Sequence, residues 1–405
     1  MAFRTLKDID MSHKRVLVRV DFNVPLDAKG RVADDTRIRA ALPTINYLRS
    51  KKSIVILMTH LGRPEKVEDR FRLDAVAVRL SRLLKARVHK FDDVVGSDVE
   101  DAVGELSWGE VCLLENLRFY PEEERDDECF ASELASLADI YVNDAFSVSH
   151  RAHASVHAIT KLLPSVAGFQ MQHEIETFDR VLHRPKRPFI AIMGGAKVSD
   201  KIEVLENLLA KVDALLIGGA MMFTFLKATG LEVGKSKVEP DKYALARRLL
   251  KKSHRKLILP IDCVVASSPN TRGSVVDATA IPKNVMGLDI GPKTVEVYRQ
   301  ILAEANTIVW NGPVGMFELA RFAKGTNELA KAIAKLKAVK IVGGGDTIDA
   351  INKLDLASRF THVSTGGGAS LDFLAGKTLP GIRALEENVP RIKKAQLIRR
   401  FIPHP

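Results

Sequence analysis

Three cysteines in 405 residues cannot staple a chain of this length. Cys112, Cys129 and Cys263 lie far apart, with no Cys-x-x-Cys pair, no zinc-ligand spacing and no even count, which excludes a disulfide scaffold and suits a reducing compartment. Aromatic residues make up only 6% of the chain, and its lysines and arginines are scattered among acids. The basic blocks interleaved with aromatics that mark a nucleic-acid surface are therefore missing. No apolar run approaches the length of a membrane helix, and the start, MAFRTLKDIDMSHKR, has no apolar signal core. A cytoplasmic protein with no membrane association is expected. No short repeat or low-complexity segment appears either. What is present is a 46% hydrophobic chain with a formal net charge of +11, so small anions are the expected partners. Its length exceeds the size at which one core stops growing, and two domains are the expectation.

Short β-branched runs recur, each followed by a polar or glycine-rich turn and a helical pattern. The first series is RVLVRVDFN (15–23), SIVILMTHL (53–61), VCLLENL (111–117) and DIYVNDAF (139–146). A second series follows residue 185: PFIAIMGG (188–195), ALLIGGAM (214–221), KLILPIDCVVA (256–266), TIVWNGPVG (307–315), KIVGGGD (340–346) and THVSTGGG (361–368). Continuous apolar strands alternating with helices predict parallel sheets covered on both faces. The fold class expected is α/β, with two doubly wound parallel-sheet (Rossmann-like) domains joined by a helix and a cleft between them. Phe169, His173, Phe178 and Leu182 suit a connecting helix ended by Pro185 and Pro188. The expected division is 1–168, a hinge at 169–188, and 189–384, with the tail 385–405 returning to the first domain.

Ligands of open α/β sheets bind beyond the carboxyl ends of the strands, and the two halves differ there. Only six of the 26 glycines precede residue 180. The later strands end in Gly194-Gly195, Gly218-Gly219, Gly312, Gly343-Gly344-Gly345 and Gly366-Gly367-Gly368, where backbone amides can approach a phosphate or a flat base. The earlier strands end in side chains instead: Asp21, Asn23, His60, Arg63, Asn116, Arg118, His150 and Arg151, with Arg37 close behind. Guanidinium groups gathered at one sheet edge match a small phosphorylated or carboxylated substrate, whose oxygens they bind bidentately.

Each signal has a plainer reading. IMGGAKVSDKIEVL (192–205) fails the Walker A pattern, and Lys197 and Lys201, four apart, would share one face of a solvated helix. Asp346, after three glycines, could be an ordinary helix N-cap or could hold magnesium carried by a phosphate. His150, His153 and His157 fall along one helical face but lack a nearby carboxylate ligand and the HExxH general base, which argues against zinc. PEEERDDE (121–128) reads as a solvated charge run, and Trp310 as core.

Taken together, RVDFNVP (19–25), HLGRP (60–64), LLENLRF (113–119), NDAF with HRAHAS (143–155), GGAKVSDKI (194–202), WNGPVGMFE (310–318), GGGDT (343–347) and STGGGASL (364–371) resemble the phosphoglycerate kinases. These segments run in family order over about nine-tenths of the chain. The resemblance implies a bilobed kinase that moves phosphate reversibly between 1,3-bisphosphoglycerate with ADP and 3-phosphoglycerate with ATP. It assigns Asp21, Phe22, Asn23, Arg37, His60, Leu61, Gly62, Arg63, Arg118 and Arg151 to the 3-phosphoglycerate side. To the nucleotide side it assigns Gly195, Lys197, Lys201, Gly219, Asn311, Pro313, Glu318, Gly344, Gly345, Asp346 and Thr347. Glu318 would reach the ribose hydroxyls, and Asp346 would stand beside Mg2+. Arg37, Lys197, Gly344 and Gly345 would surround the phosphoryl group in flight.

A carboxylate is already a competent nucleophile, so this chemistry needs positive charge at developing oxyanions and no general base. The expected partners are ATP or ADP and the two phosphoglycerates, with no nucleic acid and no membrane, in a monomer or a homodimer. The contrasting reading is a non-catalytic basic nucleotide- or nucleic-acid-binding protein. Three stretches depart from the family pattern. AFSVSHR replaces Ala-Phe-Gly-Thr-Ala-His-Arg, Asp372 and Ala375 stand where glutamates are usual, and the chain extends past about residue 385. The first two are expected to touch surroundings and not the predicted contacts. In the tail, Ile392, Ala395, Leu397, Ile398 and Phe401 offer an apolar surface.

Overall fold

A computed structural model describes residues 3–388 of the chain. The tail expectations that rest on Ile392, Ala395, Leu397, Ile398 and Phe401 lie outside these described residues. The chain forms two compact units, one running to Glu176 and resuming at Thr378, the other spanning Thr177–Lys377.

The first unit holds six strands, β1 (Arg15–Arg19), β2 (Ile54–Met58), β3 (Val88–Lys90), β4 (Val111–Leu113), β5 (Ile140–Asn143) and β6 (Ser165–Ala167). They pair in parallel in the order β3-β4-β2-β1-β5-β6. Their unbroken apolar character follows from period-two alternation between two buried faces. Val16, Val18, Val55, Leu57 and Val142 join one core with Ile38 and Ile45 of α1 (Thr36–Ser50) and Val76 and Leu80 of α2 (Asp74–Leu84). Leu17, Ile56, Met58, Cys112 and Tyr141 join the opposite core with Val99 and Val103 of α3 (Ser97–Gly104) and Phe130 and Leu134 of α4 (Glu128–Ser136). Burying each such aliphatic side chain contributes roughly 1.5–3 kcal/mol. β3, Val-His-Lys, and β6, Ser-Val-Ala, carry no continuous apolar run, so the sequence pattern does not mark them.

Helix α5 (Phe169–His183) carries the chain across the division between units. Its first amides are held by Asp144, whose carboxylate accepts from Gln170 N at 2.8 Å and Met171 N at 3.3 Å. The chain returns to the first unit through the helix at 380–388, where Asn388 accepts from Ser165 N at 2.8 Å and donates to Thr160 O at 2.6 Å.

The second unit contains β7 (Phe189–Met193), β8 (Ala214–Ile217), β9 (Leu257–Ile258), β10 (Asp262–Ala266), β11 (Ser274–Asp277), β12 (Met286–Ile290), β13 (Thr307–Asn311), β14 (Val339–Gly343) and β15 (His362–Val363). Six of them form a second parallel sheet in the order β15-β14-β13-β7-β8-β9. Its helices are α6 (Ile202–Lys211), α7 (Met221–Ala228), α8 (Tyr243–Lys252), α9 (Pro292–Ala303), α10 (Lys324–Lys335), α11 (Gly345–Lys353) and α12 (Gly368–Leu374). Trp310 is fully buried, as core.

One feature departs from the pattern expected from sequence. KLILPIDCVVA is two strands, not one: the run breaks around Pro260, β9 stays in the parallel sheet, and β10 leaves it for an antiparallel sheet ordered β11-β10-β12.

Candidate functional site

In each parallel sheet the strand order reverses once. In the first, β1 leads on to β2 on one side while β5 leads to β6 on the other, so the crevice opens beyond β1 and β5. Asp21, just past β1, accepts from the Arg37 guanidinium and from the hydroxyl of Ser147, just past β5. Ser147 belongs to the departing AFSVSHR stretch, so that departure does touch a predicted site residue. A glycine there could not make the bond. Arg37 pairs with Asp21, while Asp35 is taken up by Arg39 and Arg79.

Around this crevice the loops are tied by backbone contacts. Asn23 Oδ1 accepts from Gly62 N at 2.9 Å, and Arg118 Nη1 donates to Gly62 O at 2.6 Å. Asn116 clasps Leu61 from both sides, accepting from its amide at 3.2 Å and donating to its carbonyl at 2.9 Å. The side chains of Phe22 and Leu61 are in the core, which leaves only their backbone to face a ligand. Arg63 is exposed and Arg151 half-buried, and neither guanidinium has a hydrogen bond or ion pair among the described residues.

Positive charge dominates here. Burial, then Arg19, Arg118, Arg37 and His153, hold His60 well below the ordinary histidine value. His153 is driven down to about 3 by burial and by Arg19, Arg118 and Arg151. Burial lowers Arg118 as well, helped by Arg19, Arg151 and Arg63 and opposed by Glu124. Five guanidinium groups and two neutral histidines thus crowd one crevice, an arrangement that a bound anion relieves.

Two sequence expectations fail in this region. The stretch carrying His150, His153 and His157 is turns leading into a 3-10 segment, not a helix, because Glu123 captures its backbone: Ala154 N donates to Glu123 O at 2.9 Å and Ser155 N to the Glu123 carboxylate at 2.9 Å. PEEERDDE is correspondingly not a uniformly solvated run. Glu123 is 1% exposed, Asp126 meets His157 Nδ1 at 2.5 Å, and Asp127 caps α4 through Phe130 N. No cluster of three or more His, Cys, Asp or Glu able to hold a metal occurs among the described residues.

In the second sheet the order reverses between β7 and β13, and the turns after these strands interlock with the one after β8. Gly194 N donates to Asn311 O at 3.0 Å, Gly195 N to Pro313 O at 3.0 Å and Gly219 N to Val314 O at 2.9 Å. Gly312 and Gly219 have φ of 93° and 66°, and a Cβ on either would strike neighbouring backbone, so only glycine lets the turns pack.

Lys201 pins this assembly from beneath, its ammonium donating to Gly194 O at 2.7 Å, Asn311 O at 3.1 Å and Asn311 Oδ1 at 2.7 Å. Burial lowers it to about 8, against the opposing pull of Asp346 and Asp200. Lys197 is exposed in an irregular turn. The two lysines therefore do not share a helix face: α6 begins only at Ile202, because the segment before it is spent on the turn and a 3-10 step at Ser199–Lys201.

Helix α11 aims its N-terminus at the same place. Gly344, at φ 88°, precedes it, and Asp346 stands exposed in its first turn and does not cap it. Thr347 is buried and committed, its hydroxyl accepting from Gly312 N at 2.7 Å. The Asn311 amide nitrogen is buried without a partner, 3.2 Å from the point where a Cβ on Gly344 would stand. A pocket beside these turns is lined by Gly195, Gly219, Pro313, Glu318 and Asp346 and floored by Met222, Phe223 and Leu288. The three floor residues were not singled out from sequence, although the GGAMMF run after β8 carries two of them.

The phosphoglycerate kinase family model matches residues 6–377. The chain belongs to the phosphoglycerate kinase family. It is 56% identical over 393 residues to the phosphoglycerate kinase of Moorella thermoacetica, covering 96% of this chain and 100% of that one. To the phosphoglycerate kinase of Anaeromyxobacter dehalogenans it is 54% identical over 396 residues, 96% of this chain and 100% of that one. Among solved structures, phosphoglycerate kinase from Coxiella burnetii matches with a TM-score of 0.86 and 40% identity, over 95% of this chain and 99% of that one. The enzyme from Pyrococcus horikoshii OT3 matches at 0.85 and 35% identity, over 96% and 100%. Membership in the phosphoglycerate kinase family makes the chain a phosphotransferase with a carboxyl group as acceptor. The contrasting reading as a non-catalytic basic nucleotide- or nucleic-acid-binding protein finds no support in these likenesses.

Proposed function

We propose that the chain catalyses reversible, Mg2+-dependent phosphoryl transfer between 1,3-bisphosphoglycerate with ADP and 3-phosphoglycerate with ATP, each unit holding one ligand. The carrying observation is the contrast between the two crevices: five guanidinium groups around Asp21 and His60 in one, interlocked glycine turns and a helix N-terminus in the other. The first suits a small dianion and the second a nucleotide.

In this reading Arg63, Arg118 and Arg151 bind the phosphate of 3-phosphoglycerate, with Asn23 and His60 beside it and Asp21 directing Arg37. The amides at Gly344 and Gly345, the free Asn311 amide and Lys197 receive the nucleotide phosphates, and Glu318 the ribose. The 3-phosphoglycerate carboxylate attacks directly, so the protein's work is to position it and to meet oxyanion charge with Arg37, Lys197 and the α11 amides.

Asp346 fits a magnesium ion: it is exposed and has no hydrogen bond or ion pair among the described residues, where no cluster of three or more His, Cys, Asp or Glu forms an all-protein cage. Magnesium is commonly held by one or two carboxylates plus phosphate oxygens. When bound it would neutralise charge on the nucleotide phosphates. Among the described residues no helix is long and apolar enough to cross a membrane, and we place the activity in the cytoplasm. A coupled assay should detect ADP formed from ATP only when 3-phosphoglycerate is present. ADP formation at the same rate without it would overturn the assignment.

A further inference from the structure

Beneath the arginine crevice runs a buried chain of hydrogen bonds. Arg19, at the end of β1, is only 1% exposed. Its Nη1 donates to Val20 O at 2.6 Å, its Nε to Ser155 Oγ at 2.9 Å, and its Nη2 lies 3.1 Å from His60 Nδ1. Ser155 Oγ donates to Glu123 Oε1 at 2.6 Å, and Ser155 N donates to the other Glu123 oxygen at 2.9 Å. The Glu123 carboxylate also lies 4.0 Å from Arg19 Nη2 and 3.7 Å from His153 Nδ1. A guanidinium has no acceptor, so His60 Nδ1 must accept. A histidine that accepts at Nδ1 carries its one proton on Nε2.

We propose that Glu123, Ser155 and Arg19 form a positioning relay that fixes His60 as the neutral Nε2–H tautomer, so that His60 meets its anionic ligand as a hydrogen-bond donor. The relay resolves a conflict in the crevice. A protonated His60 would place an N–H against the Arg19 guanidinium, so charge on the ring is excluded by contact. A neutral ring free to choose its tautomer could equally turn a lone pair toward phosphate or carboxylate oxygen, which would repel. Arg19 removes that choice. Glu123, the only carboxylate within 4.0 Å of Arg19 among the described residues, keeps the buried guanidinium compensated. That His60 faces 3-phosphoglycerate rests on the function proposed above; the tautomer itself does not.

The two parts can be tested separately. Nitrogen-15 NMR on histidine-labelled full-length protein, with His60 identified from the His60→Gln spectrum, should show a protonated Nε2 and an unprotonated Nδ1. This pattern should stay unchanged between about pH 5 and 8, where an ordinary histidine titrates. A proton on Nδ1, or titration in that range, would overturn the relay in the unmodified protein, whatever any variant does. In Arg19→Met, His60 should titrate or mix tautomers. The KM for 3-phosphoglycerate should rise about tenfold, the loss of one hydrogen bond to a charged partner, with a smaller change in the KM for ATP. Ser155→Ala, which cuts the link from Glu123 without removing a charge, should move both readouts in the same direction by less. An Arg19→Met protein that is folded, frees the tautomer and keeps its KM for 3-phosphoglycerate would show that the tautomer is irrelevant to binding and overturn that part. A protein without kinase activity would instead sink the functional reading and leave the NMR answer standing.

Discussion

Arg37 and Ser147 meet on a single oxygen of Asp21, so the carboxylate that anchors the crevice of the first sheet is reached from helix α1 and from the turn after β5 together. The pair is part-buried, with the Arg37 side chain 32% and the Asp21 side chain 10% exposed, so Arg37→Ala should lower the melting temperature, an effect moderated by the Ser147 bond that Asp21 keeps. If Arg37 meets charge that develops only during transfer, the same variant should lose roughly 10³-fold in kcat. Arg37→Lys should not restore it, since a point charge cannot reproduce the planar fork. Steady-state kinetics beside a melting curve decides this, and a folded Arg37→Ala enzyme keeping more than about a tenth of its kcat contradicts the role.

Lys201 has a signature in pH. Its folded value of about 8 lies below the ordinary 10.5, so between these values the unfolded chain binds a proton that the folded chain has released. Stability from this group therefore rises as pH increases from about 8 to 10.5. Lys201→Met should remove that rise and, by freeing Gly194 O and Asn311 O, lower the melting temperature at neutral pH. An unchanged slope in thermal melts of the variant would show that another group is responsible.

Asp144 gives the opposite sign. Burial pushes it up to about 7 from the ordinary 3.8, although the α5 amides pull it down. A raised folded value means that stability is fully present below the unfolded value and is lost as pH rises toward 7. Asp144→Asn should flatten melting temperature against pH over that window. A slope identical to that of the parent chain would refute the assignment.

The glycine turns can be probed at Gly312. A methyl there would have to push Gly194 aside at a φ of 93°. Gly312→Ala should weaken ADP binding at least tenfold by calorimetry while the first unit, whose turns it does not touch, keeps its affinity for 3-phosphoglycerate. Unchanged ADP affinity would show that the turn geometry is not what receives the nucleotide.

The strands were legible because each is buried on both faces, so that Val16 and Leu17 are equally apolar while serving opposite cores. The crevices were legible because chemistry accumulates at strand ends. Burial of a polar side chain by a distant partner was not. Glu123 looks like any acid in an acidic run, and it is Arg19, over a hundred positions earlier, together with the two bonds from Ser155, that makes its burial tolerable. Lys201 likewise resembles a surface lysine until two glycine turns close over it. The antiparallel sheet was hidden because β11 is mostly exposed and carries no core pattern.

The division of labour between the two crevices is the central claim, and calorimetry on paired variants of the full chain tests it most directly. Arg151→Ala should lower affinity for 3-phosphoglycerate about tenfold or more and leave ADP binding unchanged, while Gly312→Ala should do the reverse. If either variant weakens both ligands equally while its melting temperature stays that of the parent, the two sites are not separable and the account is wrong.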